Sequence, residues 1–230
     1  ASLFNISAMS FGSLSDRAVI SLNRGAKKGN FYHNTGEGGI SSYHLEGGAD
    51  LCWQVGTGYF GCRDAEGNFC PERFIKKATI PNVKMIELKL SQGAKPGKGG
   101  ILPGEKNTPE IAEIRGVIAG TTIASPAGHS AFNSAEGLLR FIQQLRDLSE
   151  GKPVGFKLCI GDTREFEEIC EKMNEIGIYP DFITVDGAEG GTGAAPLEFI
   201  DYMGMALSDA LVFAHKSLLD YGLRSEIKIL

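Results

Sequence analysis

The residues best suited to chemistry are charged groups set inside apolar, strand-like segments. Lys157 follows Val154-Gly-Phe156 at the end of one such run, and Glu87 and Lys89 lie two apart in Ile86-Glu-Leu-Lys-Leu90. Residues two apart on a strand share a side. An ammonium buried there is costly unless it meets an anion. For Glu87 and Lys89 two readings stand: a structural ion pair with each other, or a part in a site. Lys157, at a strand end and aimed at the loop face, is expected to meet an anionic ligand.

Three glycine-rich segments accompany these charges. Asp186-Gly-Ala-Glu-Gly-Gly-Thr-Gly-Ala-Ala-Pro196 follows a strand-like run, where glycine permits close backbone approach to a planar or phosphorylated ligand. Ser91-Gln-Gly-Ala-Lys-Pro-Gly-Lys-Gly-Gly100 sets two lysines on a flexible frame, as an anion lid or as a solvated loop. Asn34-Thr-Gly-Glu-Gly-Gly39 carries one carboxylate among turn residues. Of the four histidines, His129 is the best site candidate, while His33, His44 and His215 read as structural or surface residues. No nucleophile elbow, zinc-binding helix or P-loop pattern occurs.

The elements that must position these groups alternate along the chain. Strand-like runs fall at 4–8, 30–33, 83–90, 121–124, 154–159, 182–185 and 227–230. Helical patterns fall at 15–28, 71–77, 109–116, 134–148, 163–176 and 201–221, with short extra strands near 53–55 and 59–60 and a long polar loop over 91–108. Regular alternation implies a parallel sheet with right-handed crossovers. Glycines cluster after nearly every strand. In a (β/α)8 barrel those loops share one face, whereas a doubly wound sheet concentrates them at one switch point. The expected fold is therefore an α/β chain forming an incomplete (β/α)8 TIM barrel, with about strands 1 to 7 of 8 present, as one domain over 1–230. Barrels of this class run to roughly 250 residues, and the chain has 230.

A net charge of −5 with scattered cations gives no reason to expect nucleic acid or an anionic membrane as partner. The five cysteines include no CxxC pair, so no metal or iron–sulfur site is expected from these residues alone. Their odd number points to a reducing, cytoplasmic setting. No apolar run reaches the ~18 residues of a membrane span.

As a set, Ile6-Ser-Ala-Met-Ser-Phe-Gly-Ser13, Asn34-Thr-Gly-Glu-Gly-Gly39, Gln92-Gly-Ala-Lys-Pro-Gly-Lys-Gly-Gly100 and the segment from Asp186 to Pro196 resemble the FMN-binding domain of the glutamate synthase and glutamate synthase-like family, in the same order and over the whole chain. The resemblance implies an FMN-dependent oxidoreductase acting on CH–NH2 donors. In that family 2-oxoglutarate and ammonia condense to 2-iminoglutarate, which reduced FMN converts to L-glutamate. It implies that Ala8, Met9 and Ser10 line the flavin, that Gln92 hydrogen-bonds its ring, and that Gly190 and Gly191 allow close packing. Lys157 then faces N1 and O2, where the reduced ring is anionic. Lys95 and Arg115 bind the carboxylates of the oxo acid, and Glu37 lies where ammonia arrives, so Glu37 and Lys157 are the expected catalytic residues. Family members with full activity carry glutamine where this chain has Ile101. The family's phosphate loops and iron–sulfur cysteines come after the position of Leu230, so the chain is expected to be truncated, with self-association of the open barrel. Glutaminase and electron-donor domains or subunits are the implied partners. Two alternative functions stand beside this one: an N-methylglutamate synthase-type transferase subunit, and a non-catalytic truncated remnant.

Overall fold

The computed structural model describes residues 2–93, 95, 98–190, 195–200 and 202–230. The strands are β1 (His33–Asn34), β2 (Leu51–Val55), β3 (Val83–Lys89), β4 (Ile101–Leu102), β5 (Ile123–Ala124), β6 (Val154–Leu158), β7 (Phe182–Val185) and β8 (Lys228–Ile229). The helices are α1 (Asp16–Gly29), α2 (Ser42–Glu46), α3 (Pro71–Ala78), α4 (Pro109–Arg115), α5 (Ala135–Leu148), α6 (Thr163–Ile176) and α7 (Leu207–Asp220). Six strands form one sheet in the order β1-β2-β3-β6-β7-β8, and β4 pairs with β5 apart from it. The order follows the chain without the reversal that defines a doubly wound sheet. With parallel pairing of β1 to β2, β6 to β7 and β7 to β8, this is the α/β fold of an incomplete (β/α)8 barrel.

The contacts divide the chain into two compact units. Unit 1 comprises Ala1–Glu87, Gly100–Ser125 and Asp147–Lys152, and unit 2 comprises Leu88–Gly99, Pro126–Arg146 and Pro153–Leu230.

In unit 1, Ser15 caps α1 by accepting the Ala18 amide at 3.3 Å, and Asp16 and Lys27-Lys28 suit the two ends of the helix dipole. Val19, Asn23 and Ala26 form its buried face. Its end decides where the sheet begins. Asn30 is left-handed (φ 54°), and both Asn30 and Phe31 donate their amides to the last helical turn. Those two residues are therefore unavailable to the run expected at 30–33, and β1 starts at His33. The strand expected at 4–8 contracts to one parallel bridge, Ile6 to His33. Thr108 caps α4, Pro109 opens it, and Gly116 closes it with φ 72°.

Two strand assignments change. Residues 53–55, expected as a short extra strand, belong to β2 (Leu51–Val55) of the main sheet, and all five of its residues are buried. Residues 121–124, expected as the fourth strand of that sheet, instead supply β5. It runs antiparallel to β4, with Ile101 opposite Ala124 and Leu102 opposite Ile123. The polar stretch 91–108 thus contains a strand. The Asn107 side chain anchors the turn beyond it, donating to the Ile118 and Thr121 carbonyls at 2.8 and 3.0 Å.

In unit 2, β6, β7 and β8 agree with the expected strands, Phe156 pairing with Ile183 and Phe182 with Lys228. Asp162 caps α6, Gly177 ends it at φ 67°, and Phe166, Ile169, Cys170 and Met173 recur at helical spacing on its buried face. The last helix starts later than the pattern over 201–221 suggests. Gly204 has φ 89°, and the Met205 backbone donates to Ile160 and accepts from Ala188, so α7 can begin only at Leu207. Among the described residues, no helix is long and apolar enough to cross a membrane.

Candidate functional site

The two units each hold a cluster of polar groups among the strand ends and their loops. In unit 1 the cluster is built on Asn34, Glu87 and Arg115. Glu87 is only 2% exposed. Its Oε2 accepts from the Asn34 amide at 2.8 Å and from the Gln54 amide at 2.5 Å. Asn34 also takes the Gly36 amide on its own oxygen at 3.0 Å, so both ends of its side chain are engaged.

The 8–10 segment is hydrogen-bonded to this cluster. The Met9 amide donates to the Asn34 carbonyl at 3.1 Å, and the Met9 carbonyl accepts from His44 Nε2 at 2.9 Å. The Ser41 amide donates to His44 Nδ1, which fixes that nitrogen as the acceptor and puts the proton on Nε2. Burial pushes the His44 pKa down, and that of neighbouring His33 down to about 4. Both rings are therefore neutral at pH 7. Gly36 sits at φ 67°, and a Cβ there would lie 2.7 Å from the Ser10 amide, so the Asn34–Gly39 turn can rest against Ser10 only as glycine.

Arg115 ends α4 and is 4% exposed. Its guanidinium lies 5.1 Å from the centre of the Phe60 ring and donates to the Phe11 carbonyl at 3.4 Å. Burial lowers its pKa and the Glu37 carboxylate opposes that shift, so the two charges face each other. Glu37 occupies a niche in which a Cβ on Gly56 would come within 2.7 Å of its carboxylate, and one on Gly100 closer still. The structure thus brings Glu37 and Arg115 together, with Ser10 and Met9 on the same layer.

In unit 2 the cluster is built on Lys157 of β6, which is 8% exposed. Its Nζ lies 3.3 Å from Asp186 Oδ2. The same oxygen accepts the Gly93 amide at 3.0 Å. A Cβ on Gly93 would overlap the Gly187 carbonyl oxygen, so the turn after β3 packs backbone to backbone on the loop after β7. Lys89 donates to Gln92 Oε1 at 2.6 Å. An ammonium only donates, so it fixes the Gln92 oxygen inward and leaves the amide NH2 as the end offered outward.

Gly190 has φ 89°, and among the described residues a Cβ there would meet no protein atom within 4 Å. The glycine is favoured by its backbone conformation. Gly191 lies outside the described residues. Lys95 is 3% exposed, and its amide donates to the Gln92 carbonyl at 3.3 Å. His129 Nε2 bonds the Lys89 carbonyl at 2.8 Å, and its ring stacks on Phe132.

Two acidic residues that the sequence reading left without a role are central here: Asp186, and Glu189, whose carboxylate accepts the Leu207 amide at the start of α7. Both belong to the glycine-rich segment, and their acidity between glycines was the available signal. The five cysteines are unpaired, four of them buried. Among the described residues, no three His, Cys, Asp or Glu side chains group as metal ligands.

The chain is similar to known proteins over its whole length. The conserved region in glutamate synthase matches residues 1–230. The glutamate synthase large subunit-like protein YerD of Bacillus subtilis is 47% identical over 224 residues, which cover 97% of this chain and 42% of YerD. The archaeal-type glutamate synthase (NADPH) of Thermotoga neapolitana is 36% identical over 94% of the chain and 40% of its own length. The archaeal glutamate synthase (NADPH) of Methanocaldococcus jannaschii is 33% identical over 98% of the chain and 41% of its own length. The chain spans about two fifths of the length of these relatives. With its conserved region matched from end to end, the chain belongs to the glutamate synthase family.

Proposed function

We propose that this chain forms the flavin-binding part of a glutamate synthase-type oxidoreductase, in which 2-iminoglutarate, from 2-oxoglutarate and ammonia, is reduced to L-glutamate. The observation that carries this reading is the buried ammonium of Lys157 at the end of β6. A fixed cation in a dry position suits a ring that becomes anionic on reduction.

The surrounding groups fit FMN. Gln92 offers an amide NH2 to a ring acceptor, and Gly190 brings no side chain to the ring. In this reading Ala8, Met9 and Ser10 line the flavin as well, as the family resemblance implies, and Gly191 is assigned with Gly190. FMN supplies the hydride; the protein supplies orientation and charge. Arg115 and Lys95 bind carboxylates of the oxo acid, a task suited to guanidinium and ammonium donors. The Arg115 guanidinium lies over the Phe60 ring, a contact that restricts it before substrate arrives. Glu37, facing Arg115, holds or removes a proton at the substrate nitrogen.

Ammonia and reducing equivalents come from glutaminase and electron-donor domains or subunits, in the cytoplasm. An iron–sulfur cluster, where present, belongs to residues outside this chain. The direct test is titration with FMN of this chain and of a version extended to barrel closure, followed by flavin absorbance and fluorescence, each with Lys157 and with Lys157→Met. This chain alone is expected to bind weakly or not at all and the extended version stoichiometrically, with binding weakened about tenfold or more in the variant by loss of the charge contact. No binding by the extended version would refute the assignment.

A further inference from the structure

We infer that Asp186 is a positioning residue: its carboxylate holds the Lys157 ammonium and the Gly93 amide in one arrangement, and tempers the positive field that Lys157 presents to the flavin. This rests on the flavin reading given above.

One oxygen, Oδ2, serves both partners, at 3.3 Å from Lys157 Nζ and 3.0 Å from the Gly93 nitrogen. Asp186 is itself fixed, because its amide donates to the Leu158 carbonyl at 2.9 Å, one residue beyond Lys157. The Gly93 turn cannot shift inward, since the Gly187 carbonyl already occupies the space a side chain would need. Gln92 precedes Gly93, and its oxygen is tied to Lys89. Moving Asp186 therefore moves both groups assigned to the ring, the Lys157 ammonium and the Gln92 amide.

The electrostatic consequence has a definite sign. A lone ammonium beside N1 and O2 favours the anionic, reduced flavin. A carboxylate 3.3 Å from that ammonium cancels part of its field. Asp186 thus keeps the oxidised and reduced forms closer in affinity than Lys157 alone would, which suits a flavin that must accept electrons and release them in each turnover.

The test uses Asp186→Asn and Asp186→Ala in the version extended to barrel closure. Asparagine keeps an oxygen for Gly93 and removes the charge. It should raise the ratio of reduced-flavin to oxidised-flavin affinity by about tenfold, a positive shift of ~30 mV in the two-electron potential, with exchange of the Gly93 amide near wild type. Alanine should speed hydrogen exchange at Gly93 by about tenfold, more than at β7 or α6. A merely structural Asp186 would instead loosen unit 2 throughout and leave the potential in place. An unchanged potential in flavin-loaded Asp186→Asn, or unchanged Gly93 exchange in Asp186→Ala, overturns the inference. Failure of the extended wild type to take up FMN overturns the flavin reading alone, because Gly93 exchange is measured without flavin.

Discussion

The two units hold their buried ionisable side chains through different contacts. In unit 1 the Glu87 carboxylate is met by neutral amides, from Asn34 and Gln54, within a layer that also contains two neutral histidines. In unit 2 the Lys157 ammonium is met by a carboxylate, Asp186, which is itself partly in water. The first arrangement holds the carboxylate through directional hydrogen bonds, so it depends on those amides being present. The second cancels charge and leaves one partner solvated, so it tolerates change better and can tune a neighbouring ligand. A buried ion stripped of its hydrogen-bonding partners is among the costliest single defects in a fold.

The comparison breaks most visibly at Asn34. Asn34→Leu removes a donor to Glu87 and the acceptor for the Gly36 amide, and should cost about 3 kcal/mol by urea unfolding. A loss below about 1 kcal/mol would mean that Glu87 is served as cheaply as a surface ion, and the contrast between the units would fail.

The next effect is one of pH. The His33 pKa falls from 6.5 to about 4 on folding, by burial and by its proximity to His44. The unfolded chain therefore binds a proton between those values that the folded chain refuses. Stability from this source is fully present above about pH 6.5 and is lost as pH falls toward 4, by about 2 kcal/mol at pH 4.5. Unfolding free energies at pH 7 and pH 4.5 should show this slope in wild type, and a flatter one in His33→Gln. Equal slopes in the two proteins would remove His33 from the account.

The smallest effect is in unit 2. Lys157→Met leaves Asp186 with the Gly93 amide and with water, so it should cost only about 1 kcal/mol in stability. If the loss matched that of Asn34→Leu, the two units would not differ in kind.

Much of the frame could be read from residue order. Ser15, Thr108 and Asp162 cap helices, and Gly116 and Gly177 end them, because these choices depend on backbone neighbours a few residues away. The strand at Leu51–Val55 was harder to rank. Buried on every side, it lacks the alternation that marks a half-exposed strand, and nothing local separates it from a short extra strand. Residues 121–124 have a strand's composition, but their partner is Ile101–Leu102, about twenty residues earlier. Of the candidate site, the pairing of Glu37 with Arg115 joins a turn to the end of a distant helix. Only the resemblance to a family suggested a common role for them.

The sequence by itself determined the β–α alternation, the helix ends and the presence of a strand-end lysine that must find an anion. These follow from propensity, capping and the cost of burying charge, all of which act locally. The tertiary structure alone decided which anion that lysine meets. Asp186 lies one strand away, across a parallel pair that sets Lys157 opposite Thr184, two residues before the carboxylate. Register between strands depends on packing across the whole sheet, and no local stretch of sequence carries it.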